Sequence, residues 1–156
     1  MPDPPLHDGR IALRAWREED VPALVASCSD ELTMRFTSVP SPYTPEDARL
    51  FVGTGRSDAA LPLAIVEADD DAQVLGAVGL HAVDRGRGRG EIGYWTSPWA
   101  RRQGIATRAL VLLSRWALDP EGLALRRLEL YAEPVNLASQ EVARRAGFTQ
   151  GDLVRG

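Results

Sequence analysis

The chain has 156 residues, 44% hydrophobic and 26% charged, the size and make-up of one domain able to bury a sizeable core. A net charge of −4 argues against a nucleic-acid binder, no apolar run reaches the roughly 18 residues of a membrane span, and MPDPPLHDGR lacks a secretory leader's pattern. All 18 basic residues are arginine, which excludes a P-loop or Schiff-base lysine, and the lone Cys28 excludes an internal disulfide and fits a cytoplasmic protein.

In chain order, residues 1–9 carry three prolines and read as a loose arm. Ile11 to Trp16 alternates as a first strand. Residues 18–28 read as a helix, with Pro22 near its start and Val21, Leu24, Val25 and Cys28 on one face. Residues 33–45 are broken by prolines. Thr44-Pro45-Glu46-Asp47 then opens a second helix with an N-cap, a proline in its first turn and two acids.

The centre is β. Strands are predicted at Leu63 to Glu67 and Val74 to Leu80, separated by a turn at Asp69-Asp70-Asp71. A third, Glu91 to Thr96, follows the loop Asp84-Arg85-Gly86-Arg87-Gly88-Arg89-Gly90. A helix over 103–118, a strand over 125–132 and a helix over 135–146 complete an α+β layout in one domain, residues 1–156, without repeats.

Arg101-Arg102-Gln103-Gly104-Ile105-Ala106-Thr107 stands at the mouth of the 103–118 helix, whose packing face is predicted to be Ile105, Ala109, Leu112, Leu113 and Trp116. A helix mouth offers free N–H groups and about half a positive charge, a glycine there lets a phosphate approach the main chain, and the arginines add charge. The competing reading is that Gly104 relaxes a turn and the arginines are solvated. The familiar phosphate loops are both absent, since there is no GxxxxGK[ST] and Gly86, Gly88 and Gly90 lead into a strand.

Residues 91–107, EIGYWTSPWARRQGIAT, resemble motif A of the GNAT acetyltransferase superfamily, whose core [Q/R]-x-x-G-x-[G/A] is met by Arg101, Gly104 and Ala106. The GYW lead-in, Asn136-x-x-Ser139 and Gly147-Phe148 are similar to the RimJ/RimL branch, which acetylates protein N-termini and related amines. The likeness spans residues 9–150. It implies the GNAT fold, a mixed and mostly antiparallel sheet with helices on both faces, and an acetyl-CoA site.

On that resemblance, the backbone N–H groups of Gln103, Gly104, Ile105, Ala106 and Thr107 hold the pyrophosphate, with Arg101 and Arg102 beside them. The pantetheine arm lies along the strand bearing Trp95 and Thr96, which a bulge splays from the next strand, and pairs with their main chain. Asn136 becomes a coenzyme A contact and Ser139 the acid for the leaving thiolate. By residue type alone, either of the two could instead cap its helix.

The implied reaction is N-acetylation of a primary amine, on a protein N-terminus or a small molecule, by direct attack on acetyl-CoA. Glu91 is the candidate base, acting through water, and His81 a second one. Each also has a plain reading, Glu91 as a paired surface carboxylate and His81 as an isolated histidine. Cys28 reads as a core residue, Tyr131 as packing, and two histidines with one cysteine give no metal-ligand spacing. The Arg-Gly run reads as a hairpin loop rather than an RNA-binding segment. The rival function is a catalytically silent acyl-CoA-binding or protein-interaction module.

The chain departs from the family pattern at Arg108, where an acid is common, and at its C-terminus. Such proteins normally continue past Gly-Phe to a final strand, whereas this chain ends at Gly156. That strand is expected to be missing, through a clipped sequence or through exchange in a homodimer.

Overall fold

Leu61, Leu63 and Ile65 are buried on one side of strand β3 (Leu61–Glu67) and Ala64 and Val66 on the other. A strand apolar on both faces needs a cover on each. The computed structural model, which describes residues 6–29, 43–54, 57–131 and 137–149, supplies both. Helix α3 (Ile105–Leu118) packs on one face, and α1 (Val21–Cys28) and α2 (Pro45–Thr54) on the other. Helix α4 (Leu137–Arg145) lies against α3, with Val142 packed on the α3-side core.

The sheet has six strands in spatial order β1 (Leu6–His7), β2 (Ile11–Ala15), β3, β4 (Asp70–Asp84), β5 (Arg89–Thr96) and β6 (Arg127–Glu129). Each pair is antiparallel except β5–β6, which is parallel and joined by the α3 crossover. This is the expected α+β architecture, a mixed and mostly antiparallel sheet with helices on both faces.

Local rules place several boundaries. Thr44 N–H donates to Asp47 Oδ2 (2.9 Å) and Asp47 N–H to Thr44 Oγ1 (3.1 Å), a reciprocal cap that starts α2 at Pro45. Arg14 donates twice to the buried Asp20 carboxylate (both 2.8 Å) and so joins β2 to the one-turn 3-10 helix ahead of α1. The Ser27 and Ser97 hydroxyls pair at 2.8 Å inside the core and fasten α1 to the end of β5.

Four expectations need correction. Leu6 and His7 are not part of a loose arm but pair with Leu13 and Ala12, because Asp8 Oδ1 accepts from both Arg10 and Ile11 N–H (2.9 Å each) and closes the hairpin. The aspartate turn is shorter than predicted, since β4 already begins at Asp70, where the Asp71 carbonyl accepts from Arg14 (2.6 Å). The buried stripe of α3 is Ile105, Ala106, Ala109, Leu110, Leu113 and Ala117, with Leu112 and Trp116 only partly buried. The strand predicted over 125–132 pairs only over Arg127–Glu129, with Leu125 buried ahead of it and residue 132 outside the described part. Residues 150–156, where the missing strand was expected, also lie outside it.

Candidate active site

The mouth of α3 is built by two left-handed residues. Arg102 has φ 64° and Gly104 φ 72°, the latter as the N-cap, and a Cβ on Gly104 would meet nothing within 4 Å. The first bond of the helix runs from Arg108 N–H to Gly104 O (3.1 Å). The N–H groups of Ile105, Ala106 and Thr107 therefore precede the ladder, and none is bonded to a described residue. Ile105 and Ala106 bury their side chains and leave these amides at the helix end, beside the exposed Arg102, Gln103 and Gly104 and the half-buried Arg101.

The approach loop is pinned. Trp99 Nε1 donates to Val74 O (2.8 Å), Gln103 Nε2 to Trp99 O (3.4 Å), and Arg10 Nη2 to Gln103 Oε1 (3.1 Å). Arg10, which the sequence reading left out, thus stands at the mouth, paired with Glu67, while Arg108 pairs with Asp8 (2.9 Å). Burial pushes the Asp8 carboxyl up, but the N–H groups of Ile11 and Arg10 and the Arg108 guanidinium outweigh it and hold Asp8 below the ordinary range.

Beside this mouth, β5 parts from β6. Among the described residues their pairing covers Arg89, Gly90 and Glu91 against Arg127, Leu128 and Glu129. Ser97 N–H donates to Leu75 O (2.9 Å), which makes Gly76/Thr96 a non-hydrogen-bonded pair and Ala77/Trp95 a hydrogen-bonded one. Counting in twos, Glu91, Gly93 and Trp95 turn their main chain to β4, while Ile92, Tyr94 and Thr96 turn theirs to the parted side. Of the two residues named for a main-chain edge, Thr96 faces it and Trp95 does not. Trp95 instead stacks on Trp16, with ring centroids 6.1 Å apart. Register slips among the described strands fall between His81 and Asp84 of β4, where Ala82 takes φ 48°, and at Ile65 to Glu67 of β3.

On the α1–α2 face of β4 and β5 lies a cavity of about 300 Å³. Its floor is the glycines Gly79 and Gly93, paired across the strands, one end is walled by Trp16, Phe51 and Trp95, and His81 stands at the other. His81 and Glu91 are also cross-strand partners, with Nε2 and Oε2 3.2 Å apart. Sequence reading weighed them as alternatives, and the register makes them one pair. Next to them, Tyr131 donates to Glu129, and this bond and Arg89 (3.3 Å) hold the Glu129 carboxyl below its usual range. Tyr131 is thus an exposed hydrogen-bonding residue rather than packing.

Residues 10–149 match the family model described as an acetyltransferase (GNAT) domain. The chain belongs to the GNAT acetyltransferase family. A curated relative, the uncharacterized N-acetyltransferase YoaA of Bacillus subtilis, is 24% identical over 155 residues, covering 97% of this chain and 86% of its own. Among solved structures, RimJ of Mycobacterium smegmatis, in complex with CoA-disulfide, superposes with a TM-score of 0.80 at 22% identity, over 92% of this chain and 72% of that one. RimL, a ribosomal L7/L12 α-N-protein acetyltransferase in complex with coenzyme A, does so with a TM-score of 0.77 at 26% identity, over 92% and 83%.

Membership of GNAT carries with it the enzyme class expected from the sequence, an acetyltransferase that uses acetyl-CoA. In this GNAT chain Ser139 lies in the first turn of α4, and Asn136 lies outside the described residues. Cys28 is buried, and burial pushes its thiol up to about 11 despite a hydrogen bond with Tyr43 that lowers it, which suits the core role expected of it. The Arg-Gly run makes a shorter hairpin loop than expected, Arg85 to Gly88, since Arg89 and Gly90 already belong to β5, and it is held by Arg87 N–H to Asp84 (3.0 Å) and by Arg126 Nη2 to Arg87 O (3.2 Å). No helix among the described residues is long and apolar enough to cross a membrane.

Sequence reasoning missed the cavity's aromatic wall. Trp16 directly follows β2, and Phe51 and Trp95 lie on α2 and β5, so only the fold brings them together. The one available signal was a glycine inside each of two predicted strands, Gly79 on β4 opposite Gly93 on β5, where a packed strand carries side chains.

Proposed function

We propose that the protein is an N-acetyltransferase that moves the acetyl group of acetyl-CoA to a primary amine, a protein N-terminus or a small molecule, by direct attack. The observation that carries this is the set of amides of Ile105, Ala106 and Thr107, which bond to no described residue and are set at the end of a strand whose described pairing with β6 stops at Glu91, in a GNAT chain. The amides, with Gln103 and Gly104, take the pyrophosphate, and Arg101 and Arg102 add charge around it. The Thr96, Tyr94 and Ile92 edge takes the pantetheine arm as an added strand, so the thioester lies near the β5–β6 branch point at Glu91.

There Glu91 and His81 receive the ammonium proton, directly or through water, and leave the neutral amine in place to attack. Ser139 returns a proton to the departing thiolate, and Asn136 contacts coenzyme A. Holding both reactants in one orientation supplies a large share of the rate. The likeness to RimL, a ribosomal L7/L12 α-N-protein acetyltransferase, supports an amine acceptor. The rival, a silent acyl-CoA-binding module, shares the fold and lacks turnover.

Calorimetry with acetyl-CoA, followed by an amine screen that reads free thiol, separates the two. Saturable binding with amine-dependent thiol release is expected. No binding at millimolar acetyl-CoA sinks the proposal, and binding without release on any amine favours the silent module.

A further inference from the structure

The cavity between α2 and the β4–β5 floor lies on the opposite side of β5's main chain from the proposed pantetheine edge, and it is apolar. Among its described lining residues Thr54 and His81 bring polar side chains to this face and Trp16 brings a buried indole Nε1, and none is Asp or Glu. No described lining residue would therefore offer a second cation on the acceptor a counter-charge, and desolvation disfavours burying one without it. At about 300 Å³ it falls at the bottom of the size range of ligand pockets, roughly 300–1,000 Å³, and holds one residue-sized group.

Its two ends differ. Along β5, Glu91 opposite His81 and Trp95 opposite Ala77 are four residues apart, or about 13 Å at 3.3 Å per residue. The bare glycine floor separates a proton-accepting end from an aromatic end. Trp16 and Phe51 meet edge to face at 5.5 Å and Trp95 stacks on Trp16, so the wall is a preformed flat apolar surface. We infer that the acceptor is a monocationic primary amine carrying a flat or branched apolar group beside the amine. Its nitrogen lies at His81 and its apolar group against Trp16, Phe51 and Trp95. This rests on the acetyltransferase reading and adds the class of acceptor to it. Two sources share this chemistry, an arylalkylamine and a peptide whose first residue is apolar.

The test is kcat/KM at saturating acetyl-CoA, read as thiol release, for phenylethylamine, the dipeptide Phe-Ala, glycinamide and spermidine. At least one of the first two is expected to exceed both of the others tenfold or more. Phenylethylamine alone points to a free amine, and the dipeptide alone to a peptide N-terminus. Two variants check the place. A Cβ on Gly93 would meet only His81 Cε1, at 3.6 Å, so Gly93→Val fits and narrows the floor. It should raise KM for the preferred amine tenfold or more while acetyl-CoA affinity by calorimetry stays within about twofold. Phe51→Ala should shrink the preference for the apolar amine over glycinamide at least threefold. Spermidine or glycinamide turned over as well as the apolar amines, or a preference unmoved by both variants, overturns the inference. Acetyl-CoA binding with no release on any of the four amines sinks the transferase reading, and this one with it.

Discussion

Gly104 has φ 72° and open space where a side chain would go, so its residue type matters through the backbone and the ligand rather than through packing. Gly104→Ala should lose about 1–2 kcal/mol of stability in urea melts, the left-handed penalty of an L-residue. Gly104→Glu should also abolish acetyl-CoA binding in calorimetry by setting a carboxylate where the phosphates belong. Retained binding would move the pocket elsewhere. Cys28 offers a control for the alternative of covalent chemistry. With its thiol pushed up to about 11 by burial, a thiol reagent at pH 7 should leave it unmodified in the folded protein and modify it once denaturant is added. Rapid labelling of native protein would contradict the core assignment. At this scale the sequence was most informative where chemistry is local. Arg101, Arg102 and Gly104 are neighbours in the chain, and their helix mouth can be read directly. His81 and Glu91 are ten positions apart, and only the β4–β5 register reveals that they touch.

Between elements, charged pairs decide how the strands meet the helices. Arg14 and Asp20 join β2 to the start of α1 with little exposure, 13% and 3% of their side chains. Removing one partner of such a pair leaves a buried charge, so Asp20→Ala should cost about 3–5 kcal/mol in chemical denaturation. Asp8 links the β1–β2 hairpin to Arg108 on α3, and its folded value is depressed. A depressed carboxylate stabilises the fold above its unfolded value and loses that contribution as pH falls through the folded one, so the effect belongs to the acid range below about pH 4. Asp8→Asn keeps the acceptor for the Arg10 and Ile11 amides but drops the charge, and it should flatten the acid limb of a stability–pH curve relative to the native chain. An unchanged limb would show that Asp8 does not titrate with unfolding. Such ties explain where element reading fell short. Nothing local marks Leu6 and His7 as a strand; their partners are on β2, and the fastening comes from Asp8. The α3 stripe shifted for a similar reason, since the sheet-side core takes in Leu110 and Ala117 as well as the expected Ile105, Ala109 and Leu113, with Leu112 and Trp116 at its margin and Ala106 buried besides.

For the molecule as a whole, five of the six strands among the described residues were legible along the chain, because alternation and turn residues are local, and β1 was not. The order of the sheet and the parting of β5 from β6 were not read from alternation; they came through the GNAT resemblance. That parting has a thermodynamic consequence. The stretch of β5 beyond its described pairing with β6, and helix amides that bond to no described residue, are places that acetyl-CoA would fill while the unfolded chain offers it neither. A ligand that binds only the folded state adds RT ln(1 + [L]/Kd), about 2.7 kcal/mol at a hundredfold excess over Kd. For a chain of 156 residues each kcal/mol moves the melting temperature by roughly 2–4 °C, so saturating acetyl-CoA should raise Tm by about 5–10 °C. The rise should grow with the logarithm of concentration, and Gly104→Glu should erase it. Dephospho-CoA and pantetheine divide it further, since the first keeps the pyrophosphate and the strand-like arm, whereas the second keeps the arm alone. If the helix mouth dominates, dephospho-CoA retains most of the shift and pantetheine little. A full shift with pantetheine would instead place the binding energy on the β5 edge and leave the amides of Ile105, Ala106 and Thr107 without a role.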